Sequence, residues 1–293
     1  MGYYGTIITS ASVNLIAILS MYVLMGLTGI FSMGQAAFMC VGAYTAGMLA
    51  IKTGLPFLVI IPISVLTGML SALLVGFPVV KLRKDYIALI TMGFGEAIVA
   101  LLNNMNNITG GANGINGIPR RMNVWFALAA LAIVIFLILN FKNSKFGRHC
   151  IAVKNDELSA ASMGIDVPKI KLMSFVFAGG LTALAGCLMA FTTTYIEPGA
   201  YGFARSIDWI SFVFVGGINS LTGTLLSGAV FSLMPEVLRF VAKYRILAQC
   251  IIVLLVINFR PQGIFGEFEI WDLFTRSKRK SNKSGPGVKE MKG

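Results

Sequence analysis

The sequence predicts an all-α polytopic membrane protein with about 8–10 transmembrane helices, a cytoplasmic helix between two of them and a half-helix in the last third. Two observations carry this prediction. Hydrophobic residues make up 56% of the 293 residues and charged residues only 12%, with a mean hydropathy of +0.80, whereas soluble domains carry about 25% charged residues. The apolar residues also fall into successive stretches of the length, about 20 residues, that a helix needs to cross a bilayer.

Nine apolar stretches are candidate spans. The seventh is too short to cross alone and the ninth is marginal, so the last third is expected to contain a half-helix or re-entrant element, which lipid tolerates only where protein or a water-filled cavity shields the backbone. In chain order the nine stretches are Ile7–Phe31, Gln35–Ile51, Leu55–Val80, Tyr86–Leu102, Val124–Phe141, Leu172–Tyr195, Trp209–Gly217, Leu221–Phe240 and Ile246–Phe259.

Residues 1–266 are therefore expected to form one transmembrane domain, with a charged loop at 142–171 and a basic, disordered tail at 267–293. The loop holds six Lys and Arg residues, and the segment from Arg260 onwards holds eight. Because basic residues favour the cytoplasmic side, both segments are assigned inside and the N-terminus outside. Residues Arg239, Lys243 and Arg245 lie outside if Trp209–Gly217 crosses and inside if it does not, and the sequence leaves this open.

Composition and motifs exclude several function classes. The net charge of +12 lies mostly beside the spans, as topology signals do, so no nucleic-acid partner is expected. The four cysteines have no metal-ligand spacing. The lone His149 follows Arg148 in the cytoplasmic loop and has no paired carboxylates or nucleophile to support catalysis, so no catalytic, metal or cofactor residue is expected. An ion-coupled carrier working alone would rest on Glu96 only.

Candidate pathway residues lie in three places. Small residues near Gly34 and Gly216 either pack helices closely or mark a broken-helix pathway. The loop Asn103–Pro119 is either a surface turn or an outer gate. Glu96 lies mid-span, where a charge is costly, and either lines the solute path or hydrogen-bonds a neighbouring helix. The candidates are Gly34, Gln35, Glu96, Gly110, Gly111, Asn113, Gly216 and Gly217.

The charged loop contains the signals of a short amphipathic helix. Asn155 is expected to cap it, with Glu157 in its acidic first turn, where the helix dipole favours a negative charge. Gly164 suits its C-terminal end, and Pro168 begins the next segment. We expect two to three turns lying along the cytoplasmic face. Either this is a plain surface helix or, as we favour, it docks into a partner through Asn155, Glu157, Ala160, Ala161 and Gly164.

A resemblance to a known family supports the docking interpretation. Across residues 10 to 266 the chain contains an ordered series of motifs: GIFSMGQAAF at 29–38, GAY at 42–44, TGGANG at 109–114, IP at 118–119, GR at 147–148, NDE at 155–157, MGI at 163–165, VGG at 215–217 and FRPQG at 259–263. The charged loop is similar to the cytoplasmic coupling loop of permeases in ATP-binding-cassette (ABC) importers, and the whole series resembles the LivM-type permease of branched-chain amino acid importers.

The resemblance implies a membrane permease subunit that translocates leucine, isoleucine or valine by alternating access across a bacterial plasma membrane. It also implies a second homologous permease subunit, two ABC ATPase subunits that bind ATP and Mg, and an extracytoplasmic solute-binding protein. The chain itself lacks G-x-x-x-x-G-K-[ST], the phosphate-binding loop of such ATPases. Urea, short amides and sugars remain open as alternative solutes.

Overall fold

The computed structural model describes residues 2–82, 84–237, 245–260, 263, 264 and 266. These residues form α1 (Tyr3–Tyr22), α2 (Gln35–Lys52), α3 (Phe57–Val79), α4 (Lys84–Asn104), α5 (Asn106–Thr109), α6 (Val124–Asn143), α7 (Lys145–Asn155), α8 (Glu157–Ser162), α9 (Val167–Thr193), α10 (Phe203–Gly216), α11 (Leu221–Val237) and α12 (Arg245–Phe259). A π-helix at Val23–Thr28 extends α1, and short 3₁₀ turns occupy Gly111–Asn113 and Pro198–Tyr201.

The predicted fold class is confirmed. Within the described residues, five helical segments are long and apolar enough to cross a membrane: Tyr3–Thr28, Phe57–Val79, Tyr86–Asn104, Val124–Asn143 and Val167–Thr193. The expected half-helix is α10, whose 14 residues span about 21 Å at 1.5 Å per residue, less than the ~30 Å hydrocarbon core. One feature was not expected. The two-residue strands β1 (Ile115–Asn116) and β2 (Tyr195–Ile196) pair antiparallel.

The first and ninth helices form the centre of the bundle. The most apolar stretches of Tyr3–Thr28 and Val167–Thr193 are 78% and 67% buried, whereas those of α3, α4 and α6 are 22–28% buried. Small residues let α9 approach α2 closely. A Cβ atom on Gly42 would overlap the carbonyl oxygen of Ala183, and one on Gly186 would overlap that of Met39. Close backbone packing of this kind is how helices associate in lipid.

Contacts between loops define the two ends of the bundle. At one end, the Arg120 guanidinium donates to the Thr6 hydroxyl (2.7 Å) and Arg121 donates to the Leu55 carbonyl (3.0 Å). The Tyr3 hydroxyl donates to Glu236 there, so α11 finishes at this end. We call it the outer end, following the sequence-based orientation, which stays a prediction.

The opposite, inner end carries α7, α8 and the start of α11. The half-helix α10 therefore finishes at the inner end, and the last part of α11 returns outward. Of the basic residues whose side the sequence left open, Arg239 and Lys243 lie outside the described residues, as does the predicted tail at 267–293. The domain boundaries therefore stay predictions.

Candidate functional site

The start of α2 lies against α4 and α10. A Cβ atom on Gly34 would overlap the carbonyl oxygen of Thr91 in α4, and the backbone N–H of Met33 donates to the Thr91 hydroxyl (3.1 Å). The backbone N–H of Ala36 donates to the hydroxyl of Ser206 in α10 (2.9 Å). Because the first N–H groups of a helix lack partners within it, these side chains stabilise a helix start that is buried inside the protein.

Gln35 joins this region to the two central helices. Its side-chain amide donates to the Thr182 hydroxyl in α9 (2.7 Å), and that hydroxyl lies 2.6 Å from the hydroxyl of Ser20 in α1. All three residues are fully buried. We call Ser20, Gln35, Thr91, Thr182 and Ser206 the central polar cluster. It ties five helices together by hydrogen bonds in apolar surroundings.

Glu96 lies on α4, five residues after Thr91, and its side chain is exposed. Its Oε1 accepts a hydrogen bond from the backbone N–H of Phe203, the first residue of α10, at 2.9 Å. A carboxylate at this position satisfies an N–H that has no partner inside the helix and is favoured by the helix dipole. The hydrogen bond to a neighbouring helix is thus present, while a role in lining a solute path stays a prediction.

The predicted outer-gate residues lie at the outer end. Gly110 and Gly111 have positive φ values, +75° and +59°, and Asn113 is exposed. The β1 strand that follows pairs with β2, with Ile115 opposite Ile196. This loop is therefore attached to the segment that leads into α10.

The Gly216–Gly217 pair lies at the inner end, where α10 finishes. A Cβ atom on Gly216 would lie 2.5 Å from both the Gly223 carbonyl oxygen and the Ser227 hydroxyl of α11. The backbone N–H of Ile264 donates to the Val215 carbonyl (2.9 Å). The predicted pathway residues thus occupy three separate levels of the bundle, and α10 connects all three.

The prediction for the coupling helix is wrong in its boundaries. Asn155 is the last residue of an earlier helix, α7, which Ser144 caps by accepting from the Gly147 N–H (3.2 Å). The second helix, α8, has only six residues, and its cap is Asp156, which accepts from the Leu158 N–H (3.0 Å). Asp156 adopts the extended backbone of a cap residue and therefore separates the two helices, so that α7 ends at Asn155.

The predicted docking residues divide into two groups. Glu157 faces the protein: it forms an ion pair with Lys171 of α9 (Nζ to Oε2, 2.7 Å), whose side chain is only 3% exposed. Ala160 is also buried against the chain, at 3% exposure. By contrast Asn155, Ala161 and Gly164 are exposed. Leu158 and Met163, the large apolar residues of the predicted helix, are also exposed, at 81% and 86%.

Lys154 is a contact residue that the sequence analysis missed. Its ammonium donates to the Gly26 carbonyl of the π-helix (2.7 Å) and to Asn219 Oδ1 in the α10–α11 loop (2.5 Å). The helical spacing of residues in α7 indicates that Lys154 faces the protein. Gly147, Cys150 and Val153 are buried, and Lys154 follows Gly147 by seven residues, which places it on the same face.

A cavity of about 480 Å³ opens at the outer end between α1, α10, α11 and α12. Its lining combines charges of both signs with aromatic surface, including Tyr3, Asn14, Arg205, Asp208, Trp209 and Glu236. Hydrogen bonds organise this lining: the Trp209 indole donates to Asn14 Oδ1 (3.0 Å), and Gln249 donates to Asp208 Oδ1 (3.0 Å). Among the described residues, no cluster of three or more His, Cys, Asp or Glu side chains could hold a metal ion.

Comparison with known proteins agrees with this architecture. Residues 3–259 match the family described as branched-chain amino acid transport system / permease component. The chain is 30% identical to the high-affinity branched-chain amino acid transport system permease protein LivM of Salmonella typhimurium, over 88% of this chain and 69% of that protein. It is 27% identical to the ribose import permease protein RbsC of Haemophilus influenzae, over 66% and 62% of the two chains.

Among solved structures, a chain of PsaBC from Streptococcus pneumoniae in complex with Fab matches with a TM-score of 0.48 and 17% identity, covering 86% of this chain and 89% of that one. The family match extends over nearly all of the helical bundle, including the central polar cluster, α7, α8 and α10. The chain is a multi-pass membrane protein and belongs to the branched-chain amino acid transport system permease family.

Proposed function

We propose that this chain carries leucine, isoleucine or valine across a bacterial plasma membrane as one subunit of an ABC importer. The observation that carries the proposal is its 30% identity to a LivM permease over most of both chains. In the proposed assembly a second homologous permease completes the pathway, two ATPase subunits bind ATP and Mg, and an extracytoplasmic binding protein delivers the solute. No covalent chemistry takes place in this chain.

The inner end suits the proposed contact with ATPase subunits. Leu158 and Met163 project from α8 and the residue after it, at 81% and 86% exposure, in a segment with polar neighbours. Large apolar side chains exposed together mark interaction sites. In the proposed cycle the ATPase subunits move α7 and α8. The membrane helices that contact α7 and α8 then move with them.

The outer end suits a zwitterionic solute with an apolar side chain. The cavity there contains Arg205, Asp208 and Glu236 together with Trp209 and other aromatic surface. Ligand sites commonly hold a few precisely placed polar groups, in volumes of about 300–1,000 Å³. The lining of this cavity is polar and apolar in about equal parts. This combination is compatible with the carboxylate, ammonium and side chain of an amino acid and supports the LivM-like assignment.

A sugar is the second candidate solute, because the chain is also similar to RbsC and, over 75 residues, to the L-arabinose permease AraH of Escherichia coli at 33% identity. The test is uptake of radiolabelled leucine into vesicles that contain the complete transporter and internal ATP, with unlabelled isoleucine, ribose and urea as competitors. We expect ATP-dependent leucine uptake that only isoleucine inhibits. Inhibition by ribose alone, or uptake by the purified chain without ATPase subunits, would contradict the proposal.

A further inference from the structure

Three elements meet at the Lys154 side chain near the inner end. They are α7, which together with α8 and Met163 forms the predicted coupling segment, the π-helix that ends α1, and the loop between α10 and α11. The Lys154 ammonium is 2.7 Å from the Gly26 carbonyl oxygen and 2.5 Å from Asn219 Oδ1. One side chain of α7 therefore holds two membrane elements that are distant from each other in the sequence.

The π-helix supplies a suitable acceptor for this ammonium. The last carbonyl groups of a helix have no partner within it and carry a partial negative charge. Gly26 lies in this last part of Val23–Thr28, and the helix ends at Gly29, whose φ is +69°. A cation at this position therefore interacts with the carbonyl group and with the helix dipole together.

Close packing fixes the geometry of the contact. A Cβ atom on Gly29 would lie 3.1 Å from Lys154 Cγ, so the lysine stem passes directly over Gly29. A Cβ atom on Gly26 would lie 2.7 Å from the Ile218 carbonyl oxygen, which brings the π-helix against the α10–α11 loop. Gly26 leaves no room for an added side-chain atom and Gly29 leaves little, so the π-helix packs tightly against both Lys154 and the α10–α11 loop.

The α10–α11 loop begins directly where the half-helix α10 ends. Asn219 follows α10 by three residues, and the other end of α10 receives the Glu96 carboxylate of α4 at Phe203. The chain of contacts thus runs from α7 through Lys154 and Asn219 to α10 and α4. In this arrangement Lys154 of α7 contacts the loop that follows the inner end of α10, and Glu96 contacts the first residue at the other end of α10.

We propose that Lys154 is the positioning residue that transmits movement of α7 to α10. This inference rests on the proposed function, since it assigns the residue that links ATPase movement to the pathway. Lys154 does not contact solute in this role. Through its contacts with Gly26 and Asn219, Lys154 makes the π-helix and the α10–α11 loop move with α7. When these contacts are removed, we expect ATP hydrolysis to continue without moving α10.

The test measures solute transported per ATP hydrolysed by the complete transporter in vesicles. Lys154→Met removes the ammonium but keeps most of the stem, Asn219→Ala removes one acceptor at an exposed position, and Lys154→Arg keeps the charge. Lys145→Met is the matched control, because Lys145 is an exposed lysine on the same helix. Co-purification with the ATPase subunits verifies that each variant assembles.

We expect Lys154→Met and Asn219→Ala to lower the transport-to-hydrolysis ratio about tenfold, a typical size for coupling between sites, while hydrolysis continues. The double variant should be no worse than Lys154→Met, Lys154→Arg should be intermediate, and Lys145→Met should match the native protein. If Lys154→Met does not assemble, Asn219→Ala decides alone. A native ratio in Asn219→Ala, or in an assembled Lys154→Met, overturns the inference and leaves the proposed function intact, whereas a native transporter without ATP-dependent uptake overturns both.

Discussion

The Glu96 carboxylate on α4 caps the half-helix α10 by accepting a hydrogen bond from the Phe203 N–H at 2.9 Å. Gly202, which precedes α10, has no side chain that could fill this role, and no side chain of the same segment caps the helix. The start of α10 is therefore stabilised from another helix. Separation of α4 from α10 would leave the first N–H groups of α10 without this acceptor.

We expect replacement of Glu96 to destabilise the protein according to how well the new residue accepts a hydrogen bond. Glu96→Ala removes the acceptor and should cost about 1 kcal/mol, as loss of a helix cap does. Glu96→Gln keeps a side-chain oxygen but loses the charge that the helix dipole favours, so its effect should be smaller. The measurement is the Tm of the purified protein. Equal Tm values for both variants and the native protein would show that this hydrogen bond does not stabilise α10.

The Glu157–Lys171 ion pair should be more important to the fold than to partner binding. Glu157→Gln leaves the Lys171 ammonium buried without its carboxylate partner, and an unpaired buried charge is strongly destabilising. Because Glu157 is itself 32% exposed, we expect a loss of about 1–3 kcal/mol, less than for a fully buried pair. Measurement is again by Tm.

A double variant distinguishes an ion pair from a general packing effect. Lys171→Met removes the buried charge, so adding it to Glu157→Gln should recover most of the lost stability. If the two losses simply add, the residues act independently and the ion pair is not the cause.

Gly34 should not tolerate even a methyl group. Gly34→Ala places a Cβ atom on the Thr91 carbonyl oxygen, where backbone on both sides prevents relaxation. Overpacking of this kind costs about 1–3 kcal/mol. Gly93→Ala is the matched control, because it lies on α4 near the same level with no atom within 4 Å of the added Cβ. We expect a lower Tm for Gly34→Ala and an unchanged or higher Tm for Gly93→Ala, and the reverse order would contradict the close contact.

The exposed apolar side chains of the coupling segment should be required for ATPase binding. Leu158→Glu and Met163→Glu introduce charge at positions that are 81% and 86% exposed, so neither should alter the Tm of the isolated permease. Both should reduce co-purification of the ATPase subunits, since a charge would have to be desolvated in an apolar contact. Ser162→Glu, at an exposed polar position beside them, serves as the comparison. Native binding by both charged variants would exclude this surface.

Thiol labelling gives a pH-dependent measure of how tightly α7 is held. Burial raises the pKa of the Cys150 thiol, which lies 3.2 Å from the Ser174 hydroxyl of α9. A raised pKa lowers the thiolate fraction, and the thiolate is the reactive form. Cys150 is also fully buried, so maleimide can reach it only when α7 opens. We expect its labelling to be much slower than that of an exposed thiol at the same pH.

The control for this measurement is an introduced cysteine at an exposed position of α8, Ser162→Cys, quantified in the same sample by mass spectrometry. Its labelling should follow the pH dependence of an ordinary thiol. If Cys150 is labelled as rapidly as the introduced cysteine at pH 7, α7 opens frequently and the buried environment of Cys150 does not persist.

Five of the nine predicted stretches coincide, within the described residues, with helices long and apolar enough to cross a membrane. They were predictable because bilayer thickness imposes a length that composition reveals directly. The sequence also predicted a half-helix, since Trp209–Gly217 is too short to cross. The capping position was harder to predict. Asn155 and Asp156 are adjacent and both suitable as caps. Because α7 begins after Ser144 and continues through Asn155, the cap of the next helix is Asp156.

The contacts of the charged residues could not be predicted from the sequence. The number of lysines near span ends indicates the topology. The sequence does not distinguish Lys154 and Lys171, which have specific partners, from the other basic residues of the loop. Their partners lie far away in the chain or on a different helix: Gly26 is 128 residues from Lys154. For Glu96 the sequence indicated a hydrogen bond to a neighbouring helix as one of two alternatives. It did not indicate the partner, because that depends on where α10 begins, and no feature of α4 contains that information.

The short β1–β2 pairing affects how the outer surface can vary. Its hydrogen bonds join backbone atoms of residues 115–116 to those of residues 195–196, so the connection does not depend on the identity of the side chains. The side chains of the surface beside it can therefore differ between related proteins while the main chain still anchors this loop to the segment that enters α10.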